Sequence, residues 1–195
     1  MSSSRGLRSF LSFDVSTDGL TVAAGTDLQG DDASILYFDP RNPSAPVRTH
    51  SSTHSDDITA LHFLQFPRSK TLLSASSDGL ISISNADEDD EDEAVLHVAN
   101  WGTSVSQAGW ISVSAGARVW AASDMETFSC WTDELDVLAN QDIRKPSVHN
   151  VDRTWVTDYL IGCQNSSLEF GSQGLSVFVG SNECVRLYIS EKFRL

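Results

Sequence analysis

The residues best able to do chemistry lie between positions 54 and 78. His54, Ser74 or Ser76, and Asp78 supply the three groups of a nucleophilic triad: an imidazole, a hydroxyl and a carboxylate. Their surroundings point to a different use. No Gly-x-Ser-x-Gly elbow precedes either serine, so nothing lifts an Oγ onto a sharp strand-to-helix turn. A buried aspartate has to be paired, and a histidine partner satisfies it, so His54 and Asp78 with Ser74 or Ser76 are expected to be structural.

The other chemical groups are more dispersed. His50, His54, His62, His97 and His149 have no metal-ligand spacing, and the one four-residue step, His50 to His54, falls in a Ser/Thr-rich loop rather than on a helix. Cys130, Cys163 and Cys184 are odd in number and include no Cys-x-x-Cys, which fits free thiols in a reducing compartment, cytoplasmic or nuclear. Gly171-Ser172-Gln173-Gly174 lacks the lysine and the following helix of a phosphate loop. The acidic run Asp87-Glu88-Asp89-Asp90-Glu91-Asp92-Glu93 lacks the central glycine and alternating ligands of a calcium loop. The expectation is a non-enzymatic chain with no catalytic residue, no metal and no cofactor.

Charge narrows the partners. The 195 residues carry 13 Lys and Arg against 27 Asp and Glu, a net charge of −14, half of it in the run 87–93. Such a chain is poorly suited to grip a nucleic-acid backbone or an anionic membrane, so proteins are the expected partners. No signal-peptide core follows the first residues, and no stretch of 18 apolar residues occurs. Seven adjacent like charges repel one another, and the run is expected to be a disordered loop, either simply solvated or a docking site for a basic partner.

The elements that must position these groups are strands. Ile58–Phe63 alternates apolar and polar residues, Thr71–Ser76 follows a turn, and Leu80–Ser84 follows the tight turn Ser77-Asp78-Gly79. A fourth strand, Ala94–Val98, comes after the acidic run. The same order recurs at Ser9–Val15, Leu20–Gly25, Ala33–Phe38 and near Val47–Thr49, and again at Val105–Trp110, Ala117–Ala122, Thr127–Trp131 and Val137–Ala139. Tyr159–Cys163, Leu175–Gly180 and Val185–Ile189 begin another round. The turn residues Asp32, Asp78, Asp124 and Asn182 are spaced by 46, 46 and 58 positions. A four-stranded unit repeating at that interval predicts an all-β propeller with units near 9–50, 54–99, 105–141 and 155–195.

His54 with Ser76-Ser77-Asp78-Gly79-Leu80-Ile81 resembles the middle of a WD repeat, which implies that His54, Ser76 and Asp78 form a hydrogen-bonded network stapling the unit, and Phe38-Asp39-Pro40-Arg41 resembles its Trp-Asp ending. The ordered set Ser12–Val15, Ala24–Thr26, Thr53–Thr59, Ser76–Ile81, Asn140–Arg144 and Asp158–Gly162 is similar to the WD repeat-containing protein 89 family. Trp131 holds the third-strand tryptophan position, which Phe38, Ser84 and Tyr188 fill elsewhere. The resemblance implies about four blades of a seven-bladed ring that is incomplete in this chain, and a scaffold or adaptor that presents its loops to other proteins. It also implies a sharper reading, a substrate receptor that docks on the adaptor subunit of a cullin-4 ubiquitin ligase through Arg41. The acidic run supplies an alternative, a nuclear or nucleolar assembly factor that holds basic partners on Asp87, Glu88, Asp89, Asp90, Glu91, Asp92 and Glu93. Trp101 and Trp155, both in loops between units, are the remaining candidate partner contacts.

Overall fold

Strands form where the alternation and the turn residues placed them. The computed structural model describes residues 9–65, 70–113, 116–145, 149–150, 153–154, 157–167, 173–182 and 184–190, and it divides into two compact parts, Met1–Val105 and Ser106–Leu195.

The first part holds two four-stranded antiparallel sheets. β1 (Phe10–Val15), β2 (Val22–Thr26), β3 (Ile35–Phe38) and β4 (Arg48–His50) pair in chain order, as do β5 (Ile58–Phe63), β6 (Thr71–Ser76), β7 (Leu80–Asn85) and β8 (Val95–Asn100). A four-residue helix, α1 (Glu91–Ala94), lies between β7 and β8. The β6–β7 turn requires glycine, because Gly79 sits at φ +86°. Its N–H donates to Ser76 O, and the Asp78 carboxylate accepts the Leu80 N–H at 2.8 Å.

The two sheets share one core. Ala23, Ile35 and Tyr37 of the first pack with Ile58, Leu61, Phe63 and Leu72 of the second, all almost fully buried. Burial of each large side chain contributes about 1.5–3 kcal/mol. Polar stitches fix the approach: Ser12 Oγ donates to Ile58 O at 2.8 Å, and Asp14 accepts the Phe63 N–H at 2.7 Å. At Gly25 the sheets meet so closely that a Cβ would lie 2.6 Å from Ile58 Cγ2.

The second part repeats the plan. β9 (Val105–Val113), β10 (Gly116–Ser123), β11 (Thr127–Thr132) and β12 (Val137–Asp142) form a four-stranded sheet. A short pair, β13 (His149–Asn150) and β14 (Arg153–Thr154), precedes the three-stranded β15 (Tyr159–Ser167), β16 (Gln173–Ser181) and β17 (Cys184–Ser190). Ile111, Trp120, Phe128 and Cys130 pack against Leu175 and Val177. Glu126 accepts the Leu160 N–H at 2.5 Å, and Gln107 donates to Ile161 O. Every strand marked by the alternation is present; β13 and β14 are additional, and their two-residue ladder is too short for alternation to register. Cys130 and Cys163 are free thiols, and burial pushes both up to about 12.

Candidate functional site

The turn at 77–79 brings His54 and Asp78 together. His54 Nε2 lies 2.8 Å from Ser74 Oγ, and its Nδ1 faces Asp78 Oδ2 at 3.4 Å, a close approach rather than a well-aligned hydrogen bond. Burial acts to raise the Asp78 pKa. The nearby His54 ring and the hydrogen bonds from the Leu80 and Ser55 N–H groups outweigh it and hold the carboxyl below its usual range. The hydroxyl partner of the histidine is thus Ser74. Ser76, expected in that role, instead donates to Asp56 O at 2.9 Å and accepts the Asp78 N–H at 3.1 Å. The register explains the exchange: Ser74 lies opposite Leu61 in mid-sheet, while Ser76 ends its strand at the turn. His54, Ser74 and Ser76 are all buried, so this constellation staples the entry loop of β5 to the β6–β7 turn.

Trp131 is buried on β11, opposite Val119, as a strand anchor. Trp101 is half-buried, and its backbone N–H donates to Gly79 O at 2.9 Å, which ties the β8–β9 loop to the same turn. Trp155 lies outside the described residues. Arg41 is largely exposed, but its fork is already filled. Nε and Nη2 donate to the Asp39 carboxylate at 2.9 and 2.7 Å, and its backbone N–H donates at 2.9 Å. The side-chain bond from Arg41 holds the Asp39 pKa down to about 2. The local ion pair, not a free guanidinium, is the observed state.

The acidic run departs most from expectation. Residues 87–93 form a turn and the start of α1, not a disordered loop. Three of the seven charges are met in the fold by groups distant in sequence. Lys70 pairs with Asp87 at 2.8 Å and Arg48 with Asp89 at 2.7 Å. Arg48 also donates to Ala86 O and lies over the Tyr37 ring, 4.6 Å from its centroid. Glu91 accepts the N–H groups of Ser51, Ser52 and Thr53 at 2.7–2.9 Å and the Thr53 hydroxyl at 2.6 Å. Burial acts to raise the Glu91 pKa, and these bonds outweigh it. Asp90 caps α1 by accepting the Asp92 N–H. Beneath lies a buried group: Tyr37, its phenol raised to about 12 by burial, and His50, its ring 5.0 Å away and its pKa lowered mainly by burial.

The run is therefore divided by its partners. Asp87 and Asp89 are exposed but paired with Lys70 and Arg48, and the half-buried Glu91 is held by the 51–53 loop, whereas Asp90, Asp92 and Glu93 are exposed and, among the described residues, meet no cation. Sequence reasoning missed Arg48, Lys70 and the 51–53 loop. Each lies 17 or more positions from its acidic partner, and only the strand pairing brings them together.

No protein-family model matches the chain. It is 34% identical over 156 residues to a WD repeat-containing protein of Saccharomyces cerevisiae, across 78% of this chain and 37% of that protein. It is 37% identical over 101 residues to WD repeat-containing protein GTS1 of Arabidopsis thaliana, across 51% and 25%. To a WD repeat-containing protein 89 homolog of Dictyostelium discoideum it is 31% identical over 85 residues, across 44% and 23%. The chain thus spans between about a quarter and two fifths of these relatives. Among solved structures, it resembles a chain of the mitotic checkpoint complex at TM-score 0.58 and 16% identity, covering 89% of this chain and 46% of that one. It also resembles Chaetomium thermophilum Sqt1 bound to the N-terminus of ribosomal protein L10, at TM-score 0.59 and 16% identity, covering 87% and 40%. Strand order, repeat spacing and these likenesses agree: the chain is a run of WD-type β-propeller blades.

Proposed function

We propose that the chain is part of a protein-interaction scaffold that receives a basic segment of another protein on its acidic edge, in a cytoplasmic or nuclear setting. One observation carries the reading: the acidic segment is ordered and anchored, yet presents Asp90, Asp92 and Glu93 outward. Anchoring through Arg48, Lys70 and the 51–53 loop removes the entropy cost of ordering seven charged residues at the moment of binding. Carboxylates held in fixed positions recognise lysine and arginine with geometric definition. That Sqt1, of the same fold, holds the N-terminus of a ribosomal protein supports a peptide-receiving role and the assembly-factor reading. The cullin-4 adaptor reading has less support, because Asp39 occupies the Arg41 fork and Phe38 stands at the tryptophan position.

The test is neutralisation of the outward face alone. Asp90→Asn (which keeps a capping oxygen), Asp92→Ser and Glu93→Ser together should abolish salt-dependent binding of a lysine-rich peptide and leave the melting temperature unchanged. Equal binding by this variant and the parent would remove the reading.

A further inference from the structure

The acidic edge borders a cleft that is not acidic throughout. A cavity of about 330 Å3 opens to solvent beside β8, lined by Ser52, Thr53, Glu91, Asp92, Val95 and Val98. Its aliphatic wall arises from a register shift. β7 and β8 pair Ser82 with Val98 and Ser84 with Val95, so Leu96 is an extra residue in a bulge. Under strict alternation, Val95 and Val98 would lie on opposite faces of the sheet; the bulge brings them to one face. Val98 remains 50% exposed, an aliphatic side chain at the mouth of an open cleft.

The opposite wall is held firmly. The four bonds that Glu91 accepts from Ser51, Ser52 and Thr53 fix α1 against the loop, so the cleft exists before any partner arrives. Its volume lies at the lower end of ligand pockets, about 300–1,000 Å3, which suits one large side chain rather than a cofactor. Charge selects the partner. Arg48 and Lys70, the cations against the acidic run, are engaged by Asp89 and Asp87, while Asp92 lines the cleft and Asp90 and Glu93, close to it in the chain, are exposed. An acidic segment would be repelled there and a basic one attracted.

We propose that this cleft seats one aliphatic side chain of a partner protein's basic segment, with its flanking lysines or arginines on Asp90, Asp92 and Glu93. This rests on the scaffold reading above and names the anchor that gives it specificity. Charge alone would bind any basic chain; an apolar notch beside the charge selects those with an aliphatic residue in register.

The probe is a fluorescently labelled peptide with one leucine between lysines, compared by anisotropy with its leucine-to-glycine counterpart. The leucine peptide should bind about five- to tenfold more tightly, as expected for partial burial of one such side chain. Val98→Ser should erase that difference and leave binding of the glycine peptide unchanged. Val98→Thr keeps the side-chain shape and strand propensity; it should reduce the difference in smaller measure, and it serves if the serine variant folds poorly. Equal binding of the two peptides overturns the anchor and leaves the charge-based scaffold standing. A leucine preference that is undiminished in a folded Val98 variant also overturns it. Failure of both peptides to bind overturns the anchor and the scaffold reading together.

Discussion

Removing Glu91 tests whether the acidic segment is part of the fold. Its carboxylate takes four hydrogen bonds from three consecutive residues, 51–53. A hydrogen bond to a charged group contributes about 1.5–3 kcal/mol where water cannot replace it. The Ser51 and Ser52 N–H groups are exposed, so water substitutes for Glu91 there and they count for little. The two Thr53 donors are partly buried and carry most of the effect. Deleting one of seven clustered negative charges returns a few tenths of a kcal/mol. The net expectation for Glu91→Ala is a loss of about 2 kcal/mol, or about 4–8 °C in melting temperature for a chain of this size. Glu93→Ala removes the same charge from an exposed position and should change stability by less than about 0.5 kcal/mol. Urea titrations followed by tryptophan fluorescence give both values. If the two variants lose equal stability, or Glu91→Ala loses none, the clamp is not structural and the run behaves as a solvated loop.

Three further outcomes follow from the packing and the charges. Gly25→Ala should cost about 1–3 kcal/mol by overpacking, because its Cβ would meet Ile58 Cγ2 at 2.6 Å and Ser12 Oγ at 2.7 Å; a melting temperature equal to the parent's would show that the sheets can part. Glu91 and Asp78 both have folded pKa values below their ordinary 4.5 and 3.8, so their stabilisation is complete above those values and is lost as pH falls through the folded ones. Urea midpoints should therefore drop below about pH 4.5, less steeply in Glu91→Ala, and identical slopes would contradict the assignment. β1 exposes Leu11, Phe13 and Val15 at alternate positions, at 47%, 72% and 41%. The isolated chain should self-associate through that face, and a sharp 21.2 kDa monomer peak in size-exclusion chromatography would refute this.

What the sequence disclosed and what it hid separate along one physical line. β5 and β6 occupy the spans that alternation and turn residues marked, because both signals are local: the pleat sets a period of two and Gly79 needs its positive φ. His54 and Asp78 were legible as a staple because a short entry loop and a tight turn bound the same two strands. The choice of Ser74 over Ser76 was not, since it depends on which serine the register places beneath the imidazole. The acidic run failed for a deeper reason. Self-repulsion can be counted within the run, but the compensating Lys70, just before β6, and Arg48, on β4, lie 17 and 41 positions before their partners. Arg48 on β4 reads in sequence as an ordinary charge on a short edge strand. It becomes the keystone of the contact only once Tyr37 and Ala86 O are placed around it. The cleft was hidden for the same reason. Val95 and Val98 are three apart, a spacing that alternation assigns to opposite faces, and only the bulge at Leu96 puts them on one wall. A local rule thus identifies the strands, but the functional surface arises where the repeat deviates from it: a bulge in β8, and a helix formed where a loop was expected.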